Sequence, residues 1–299
     1  MISLFKNKFL IKEYKTILLE ESDSIAIIKL NRPEKLNAFN MQMLEDMIDA
    51  IDYVNKEDGI KSLIITGAGK AFCAGADLSA GEKTFDKGFD TSGIFESDFR
   101  RDAGGILTLK IFNSLKPVIA ACNGDAVGVG ATMQLAADIR IANKSARYGF
   151  VFARRGIVPD GCASWFLPKL VGVSKSLELC YSGELITAED GKKFGLVNYL
   201  EDDPNNLLKK AVEIAKKFTE NTAQVSVAMT RHMLWNYSSD TDPENAHIME
   251  SKLIDSRGAS DDAKEGVMSF LEKRKPVFKN KISKDLPDFF PWRKSKFKD

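Results

Sequence analysis

The feature that most limits how this chain folds is a recurring order of short apolar strand, small-residue turn and helix through its first two thirds. Leu63–Thr66 is a short apolar run that ends at Gly67, and the small-residue stretch Phe72–Asp77 follows it into a loop. Val118–Cys122 repeats the pattern with a glycine-bearing turn at Asn123–Gly130, a helix of small residues over Ala131–Ala137 and a further strand at Ile139–Ala142. Upstream, Thr16–Leu19 and Ile25–Leu30 are β-rich runs on either side of a polar turn at Glu20–Ser24. In Met41–Val54, residues Met43, Leu44, Met47, Ile48, Ile51 and Val54 recur at helical spacing. Alternating strands and helices of this kind, with strands apolar enough to be covered on both faces, predict an α/β core.

The pattern changes after Asp202. Helices are predicted over Leu207–Phe218, Ala223–Asn236, Glu244–Asp255 and Ala263–Arg274, so the chain divides into an α/β part, residues 1–203, and a helical part, residues 204–299. Ser79–Gly105 is polar, low in periodicity and long for a connection inside a compact domain, which marks it as a mobile or functional loop. A helix is predicted after it over Ile106–Leu115, and another over Ala163–Leu170. The end, Lys281–Asp299, combines Phe289, Phe290 and Trp292 with basic residues and reads as a tail packed on its own domain or on a neighbour.

Charge and composition exclude several function classes. The formal net charge is +1, from 43 basic and 42 acidic residues, so there is no electrostatic footprint for nucleic acid or an anionic membrane. No apolar run is long enough to span a bilayer, and Met1–Lys12 lacks the apolar centre and small-residue cleavage site of a signal peptide. Cys73, Cys122, Cys162 and Cys180 form no C-x-x-C pair and sit among small or apolar residues, which is the pattern of reduced buried thiols in a cytoplasmic protein. With only His232 and His247, both in helical sequence, no histidine metal site is expected.

The two turns carry the chemistry. Gly69–Leu78 and Asn123–Thr132 each follow an apolar strand and precede helical sequence. At such a junction the first backbone N–H groups of the helix lack internal partners, point outward and favour negative charge. Two such donors aimed at one point make an oxyanion hole. Taken singly, either turn is a weak signal, because glycines in a strand-to-helix turn are more often steric necessities than catalytic parts. A dinucleotide fingerprint fits less well, because Gly128-Val-Gly130 lacks the third glycine at the required spacing.

Taken together and in order, the segments Asn31–Ala38, Lys70–Asp77, Lys116–Gly124, Gly128–Gly130 and Glu272–Lys275 resemble the crotonase superfamily, that is, the enoyl-CoA hydratase/isomerase family, over residues 14 to 279. The resemblance implies a spiral of ββα units with a helical C-terminal oligomerisation region, assembled as a homotrimer or hexamer. It implies an acyl-CoA substrate, with coenzyme A present as part of the thioester and no permanently bound cofactor. Carried over by position, the oxyanion donors are the N–H groups of Ala76 and Val129, the latter a departure from the small residue usual there. Lys35, Leu36 and Ala38 would meet the nucleotide and pantetheine, Ala74 and Ala76 would line the pantetheine path, and Lys70 and Lys273 would reach phosphates. Each lysine has a solvated surface role as its plain alternative.

Enolate chemistry also needs a group that moves protons. Thr132 and Phe152 stand where the family's hydratases keep two glutamates, which counts against ordinary hydration. Asp160 instead resembles the catalytic aspartate of the isomerase branch, where one carboxylate takes a proton from one carbon and returns it at another. Position alone favours a different role for Asp160: it follows Pro159 just ahead of a helix, where aspartate is a preferred N-cap, and Arg154 and Arg155 nearby would lower its pKa. Asp90, Glu96 and Asp98 in the long loop are alternative acids. The residues therefore lead to an enoyl-CoA isomerase using Asp160. An enoyl-CoA hydratase or acyl-CoA hydrolase using another acid, and a non-catalytic acyl-CoA-binding or scaffold protein, stay open. Phe150, Phe152, Trp165 and Phe166 line either an acyl pocket or the core.

Overall fold

A computed structural model describes residues 9–85, 93–94, 99–291 and 297. Met1–Lys8, the loop acids Asp90, Glu96 and Asp98, and Trp292 lie outside that set. The chain opens with strands β1 (Phe9–Glu13), β2 (Ile17–Ser22) and β3 (Ile25–Leu30), then helix α1 (Met41–Lys56). Three strand pairs follow, each trailed by helical structure. They are β4 (Ser62–Gly67) and β5 (Ala71–Cys73) before α2 (Ala103–Phe112); β6 (Val118–Cys122) and β7 (Asp125–Val127) before α3 (Val129–Thr132); and β8 (Ile139–Asn143) and β9 (Arg147–Gly149) before α4 (Ala163–Val171). Helix α5 (Val173–Ser182), strand β10 (Leu185–Thr187), helix α6 (Ala188–Phe194) and strand β11 (Tyr199–Glu201) close this part. Helices α7 (Leu207–Thr219), α8 (Gln224–Tyr237), α9 (Pro243–Gly258), α10 (Asp261–Leu271) and α11 (Ile282–Asp285) complete the chain.

The first member of each strand pair enters one sheet and the second member enters another. The larger sheet has the order β1-β2-β3-β4-β6-β8-β11 and is parallel from β3 onward. The smaller has the order β10-β9-β7-β5, with β9, β7 and β5 parallel. The chain therefore spirals, one ββα unit per turn, as expected for an α/β crotonase-like spiral with a helical C-terminal region.

Period-two alternation in the strands builds two apolar layers. Ala26, Ile28, Leu63, Ile65, Val118 and Ala120 face one way, toward α1, α2 and the smaller sheet. Ile25, Ile27, Ile64, Ile119 and Ala121 face the other way and are covered by Leu207, Ala211, Val212, Ile214 and Ala215 of α7. Helices α8, α9 and α11 share a separate small cluster, with Val225, Ala228, Met229, Leu253 and Ile282 buried together. Among the described residues no helix is long and apolar enough to cross a membrane.

Several boundaries differ from expectation. The turn expected at Glu20–Ser24 shrinks to Asp23–Ser24, both at positive φ (52° and 63°), because Glu20, Glu21 and Ser22 stay paired with Ile27, Ala26 and Ile25. Strand β7 lies inside what reads as a turn, since three residues are too few to show a period. The helix expected from Ile106 starts at Ala103, because Asp102 caps it by accepting from Gly105 N at 2.5 Å. The aromatics Phe150, Phe152 and Phe166 belong to the core, and Trp165 packs edge-on to Phe112 and Phe166. The described residues of the C-terminal tail contact their own chain: Ser283 donates to Asp58, and Lys110 lies over the Phe297 ring at 4.7 Å.

Arg231 joins the helical part to the core. Its guanidinium donates to Asp138 Oδ2 at 2.8 Å, to the carbonyls of Phe112 and Ser114 at 2.6 and 2.8 Å, and to Ile111 O at 3.1 Å, so it closes the open end of α2. Removing one member of a buried charge pair leaves the other unpaired and costs about 3–5 kcal/mol. Arg231→Leu is expected to lower stability by about that amount in chemical denaturation, and an unchanged midpoint would contradict this role.

Candidate active site

The two turns are assembled by two asparagines, one buried and one half-buried. Asn37 is fully buried in left-handed backbone (φ 55°). Its side chain accepts from Arg32 N at 2.9 Å and donates to Ala68 O and Ala71 O, both at 2.9 Å. Asn123 accepts from Gly67 N at 2.9 Å and donates to Gly69 O at 3.0 Å and Ala71 O at 3.2 Å. The two amides hold the corner between β4 and β5 from both sides. Asp77, which follows the first turn, is held by Arg32 at 2.8 Å, and that guanidinium and hydrogen bond keep its carboxyl below the usual range.

The N–H directions follow from the pairing. Phe39 bridges Ala76 in parallel fashion: Phe39 N donates to Gly75 O and Asp77 N donates to Phe39 O, both at 2.8 Å. In a parallel bridge the residue between those two bonds turns its own N–H the opposite way. Ala76 N–H therefore faces away from Phe39. Val129 is the first residue of α3, where an N–H has no partner within the helix. Among the described residues neither N–H has a protein acceptor. Each donor follows a glycine at positive φ, Gly75 at 106° and Gly128 at 54°. These glycines are close neighbours: a Cβ added to Gly128 would stand 3.9 Å from Gly75 Cα, and one added to Gly75 would stand 3.1 Å from Val127 O.

Asp160 stands beside this pair. Its Oδ1 accepts from Thr132 Oγ1 at 2.9 Å. The position that a Cβ on Gly104 would occupy lies 2.9 Å from Val129 Cγ2 and 3.3 Å from Asp160 Oδ2, so carboxylate and donor residue share one immediate neighbour. Burial pushes the Asp160 carboxyl up to about 6; the Thr132 hydrogen bond lowers it in part, and the Asp102 charge raises it further.

Two expectations about Asp160 are corrected here. The capping position of α4 belongs to Cys162 (φ 55°), no side chain caps that helix, and Asp160 is turned to Thr132 instead. The arginines do not lower its pKa, because Arg154 is committed to Ser182 O at 2.6 Å and to Glu184 at 3.8 Å. Sequence reasoning also missed Asp102, whose Oδ2 accepts from Gly161 N at 3.4 Å beside Asp160. Its signal was present, an aspartate ahead of a small-residue helix start, but Asp102 was absorbed into the polar loop.

The residues expected to meet coenzyme A fall into two groups. Ala74 N donates to Leu36 O at 3.0 Å and Ala38 N donates to Lys35 O at 3.0 Å, so Lys35, Leu36, Ala38, Ala74 and Ala76 form one continuous strip along the first turn. Lys70 is exposed at the corner next to it. Lys273 stands apart, exposed at φ 53° after α10, a helix that packs on α9. Two cavities of about 670 and 750 Å³ lie elsewhere, one lined by His232 and Phe290, the other by Trp235 and Phe218; neither is lined by Ala76, Val129 or Asp160. The four cysteines are free, and burial raises each thiol pKa.

With this geometry in place, comparison with known proteins agrees. The family described as Enoyl-CoA hydratase/isomerase matches residues 20–281. An enoyl-CoA hydratase of Alternaria alternata is 43% identical over 260 residues, which span 87% of this chain and 84% of that protein. The 1,2-epoxyphenylacetyl-CoA isomerase of Escherichia coli (strain K12) is 31% identical over 274 residues, 89% of this chain and 98% of the relative. The crystal structure of a probable enoyl-CoA hydratase/isomerase from Mycobacterium abscessus superimposes with a TM-score of 0.80 at 30% identity, covering 89% of this chain and 99% of that one. The chain belongs to the enoyl-CoA hydratase/isomerase family of the crotonase superfamily, whose members act on coenzyme A thioesters.

The raised Asp160 pKa has a stability consequence. Ordinary carboxyls titrate near 3.8 and this one near 6, so the penalty for holding it charged is absent below pH 4 and grows as pH rises through 6. Asp160→Asn is therefore expected to match the wild type in thermal stability at pH 4. At pH 7.5 it is expected to exceed the wild type by up to ~2 kcal/mol, after allowance for partial solvent contact. A variant equally stable at both pH values would refute the burial penalty.

Proposed function

We propose that this chain is an enoyl-CoA isomerase in which the N–H groups of Ala76 and Val129 hold a thioester oxygen and Asp160 moves the proton. The observation that carries this is that Asp160 Oδ2 and the Val129 side chain both border Gly104, while Thr132 and Phe152 put no carboxyl at the two places where hydratases keep theirs. In this mechanism the thioester carbonyl accepts from both N–H groups, and Asp160 takes a proton from an activated carbon. The resulting negative charge collects on the oxygen, and the same carboxyl returns the proton one or more bonds along. Preorganised N–H donors stabilise the enolate as it forms. A carboxyl titrating near 6 is mostly ionised at neutral pH yet a stronger base than an ordinary aspartate, which suits a group that must accept and release a proton.

The strip from Lys35 to Ala38 with Ala74 is proposed to meet the pantetheine and nucleotide, with Lys70 and Lys273 as phosphate contacts. The exposed apolar residues Leu234, Ile254, Phe270 and Leu271 on α8, α9 and α10 support self-association through the helical part, residues 204–299.

Hydration is the second reading. It is favoured by Asp102, a second carboxylate whose charge raises the Asp160 pKa and which accepts from Gly161 N next to Asp160. Several relatives are named hydratases, among them those from Alternaria alternata. Product formed in heavy-oxygen water separates the two: isomerisation leaves it unlabelled, and hydration labels it.

Two variants test the isomerase reading in deuterated water with 3-hexenoyl-CoA, followed by NMR. Asp160→Asn is expected to lose α-proton exchange by about 10²–10⁴-fold. Val129→Pro removes one N–H at a helix position that tolerates proline, and is expected to lower the rate about 10²–10³-fold with the fold intact. Exchange at wild-type rate in either would remove that residue from the mechanism.

A further inference from the structure

We infer that Thr132 is a positioning residue whose hydroxyl occupies Asp160 Oδ1 and thereby dedicates Oδ2 to proton transfer. The inference rests on the assignment of Asp160 as the acid/base. Thr132 is wholly buried, and its Oγ1 has two acceptors in range, Asp160 Oδ1 at 2.9 Å and Val129 O at 3.5 Å. A hydroxyl has one proton to donate, and the shorter contact to a charged acceptor takes it. The neighbouring hydroxyl, Thr108, is no competitor, since it donates to Gly104 O at 2.9 Å. Gly161 keeps the contact open: a Cβ there would stand 2.4 Å from Thr132 Oγ1.

With Oδ1 engaged by Thr132, the oxygen turned to the Gly104 and Val129 side is Oδ2, and the Asp160 backbone N–H also bonds the carboxylate. A neutral hydroxyl suits this role better than a cation. When Oδ2 is protonated, Oδ1 becomes the carbonyl oxygen of a carboxylic acid and still accepts from Thr132. The hydrogen bond thus persists through the whole proton cycle and orients the carboxyl in both states. An arginine or lysine there would hold Asp160 ionised. Helix α3 carries both parts, the Val129 N–H at its first residue and the Thr132 hydroxyl one turn on, so a single rigid turn sets the spacing between the oxygen being held and the carboxyl. The other titratable groups around Asp160 are Asp102 at the start of α2, Cys73 at the end of β5 and Cys162 ahead of α4, with Arg101 acting on Cys162.

Thr132→Val keeps the shape and removes the O–H; Thr132→Ser keeps the O–H. Two readouts are used: the pH profile of deuterium exchange into 3-hexenoyl-CoA, and the Asp160 carboxyl band in difference infrared spectra, assigned by its loss in Asp160→Asn. A hydrogen bond to a charged group corresponds to about a tenfold or larger effect. In the valine variant kcat for exchange is expected to fall about tenfold with KM unchanged. Both midpoints are expected to move upward by about one pH unit, because the bond favours the ionised form. Serine restores the rate and the midpoints. Should the valine variant fail to fold, Thr132→Ala gives the same comparison. Exchange lost in Asp160→Asn but with unchanged midpoints in Thr132→Val overturns the inference alone. Exchange retained in Asp160→Asn overturns the acid/base assignment, and the inference with it.

Discussion

Everything at the site depends on the parallel pairing of β5 with β7 in the smaller sheet. The two strands are three residues each and contribute little stability by themselves. Their role is to end side by side, so that the chain leaves both in the same direction and meets itself at Gly75 and Gly128. A side chain at either glycine would sit in a backbone region that disfavours it, and at Gly75 it would also press on Val127 O. From that contact the next residue on each side, Ala76 and Val129, is left with an N–H that the fold does not use. Leaving two donors unpaired costs free energy, which Asn37 and Asn123 offset by satisfying the neighbouring corner.

A second cost lies in Asp160. Burial makes its charged form unfavourable, and the chain tolerates this without supplying a cation. A structural carboxylate in the same molecule shows the contrast: Asp77 is paired with Arg32 and has its pKa lowered. The two differ in partner chemistry. Asp77 is fixed in one protonation state by a guanidinium, whereas Asp160 has a hydroxyl that serves both states. The carboxyl that holds a loop and the carboxyl proposed to move a proton thus differ in what touches them.

Much of the fold was legible because buried strands and amphipathic helices write their periods into the sequence. The runs Ile25–Leu30 and Val118–Cys122 are strands at those exact bounds, and α1 begins at Met41 as its spacing predicts. What was not legible is short or non-local. Strand β7 is too brief to show alternation, and α2 was placed three residues late because Asp102 reads as loop. The contact between Thr132 and Asp160 joins residues 28 apart in sequence, and no periodicity encodes it. Local pattern assigned Asp160 to a helix cap; tertiary packing gave that position to Cys162 in left-handed backbone and turned the carboxylate inward.

The family resemblance and the departures from it bear on different atoms. The donors are backbone N–H groups, so replacing a small residue by Val129 leaves them in place. The proton-moving group is a side chain, and there the sequence is free to change. Family membership, shared with relatives named hydratase and a relative named isomerase, therefore bears on the backbone donors proposed here to hold the oxygen. The other half depends on the side chains of this chain alone. At Thr132 a hydroxyl stands where a hydratase keeps an acid, and it does not simply vacate the place: it bonds Asp160, a carboxylate reached from a different loop and the one proposed here to move the proton.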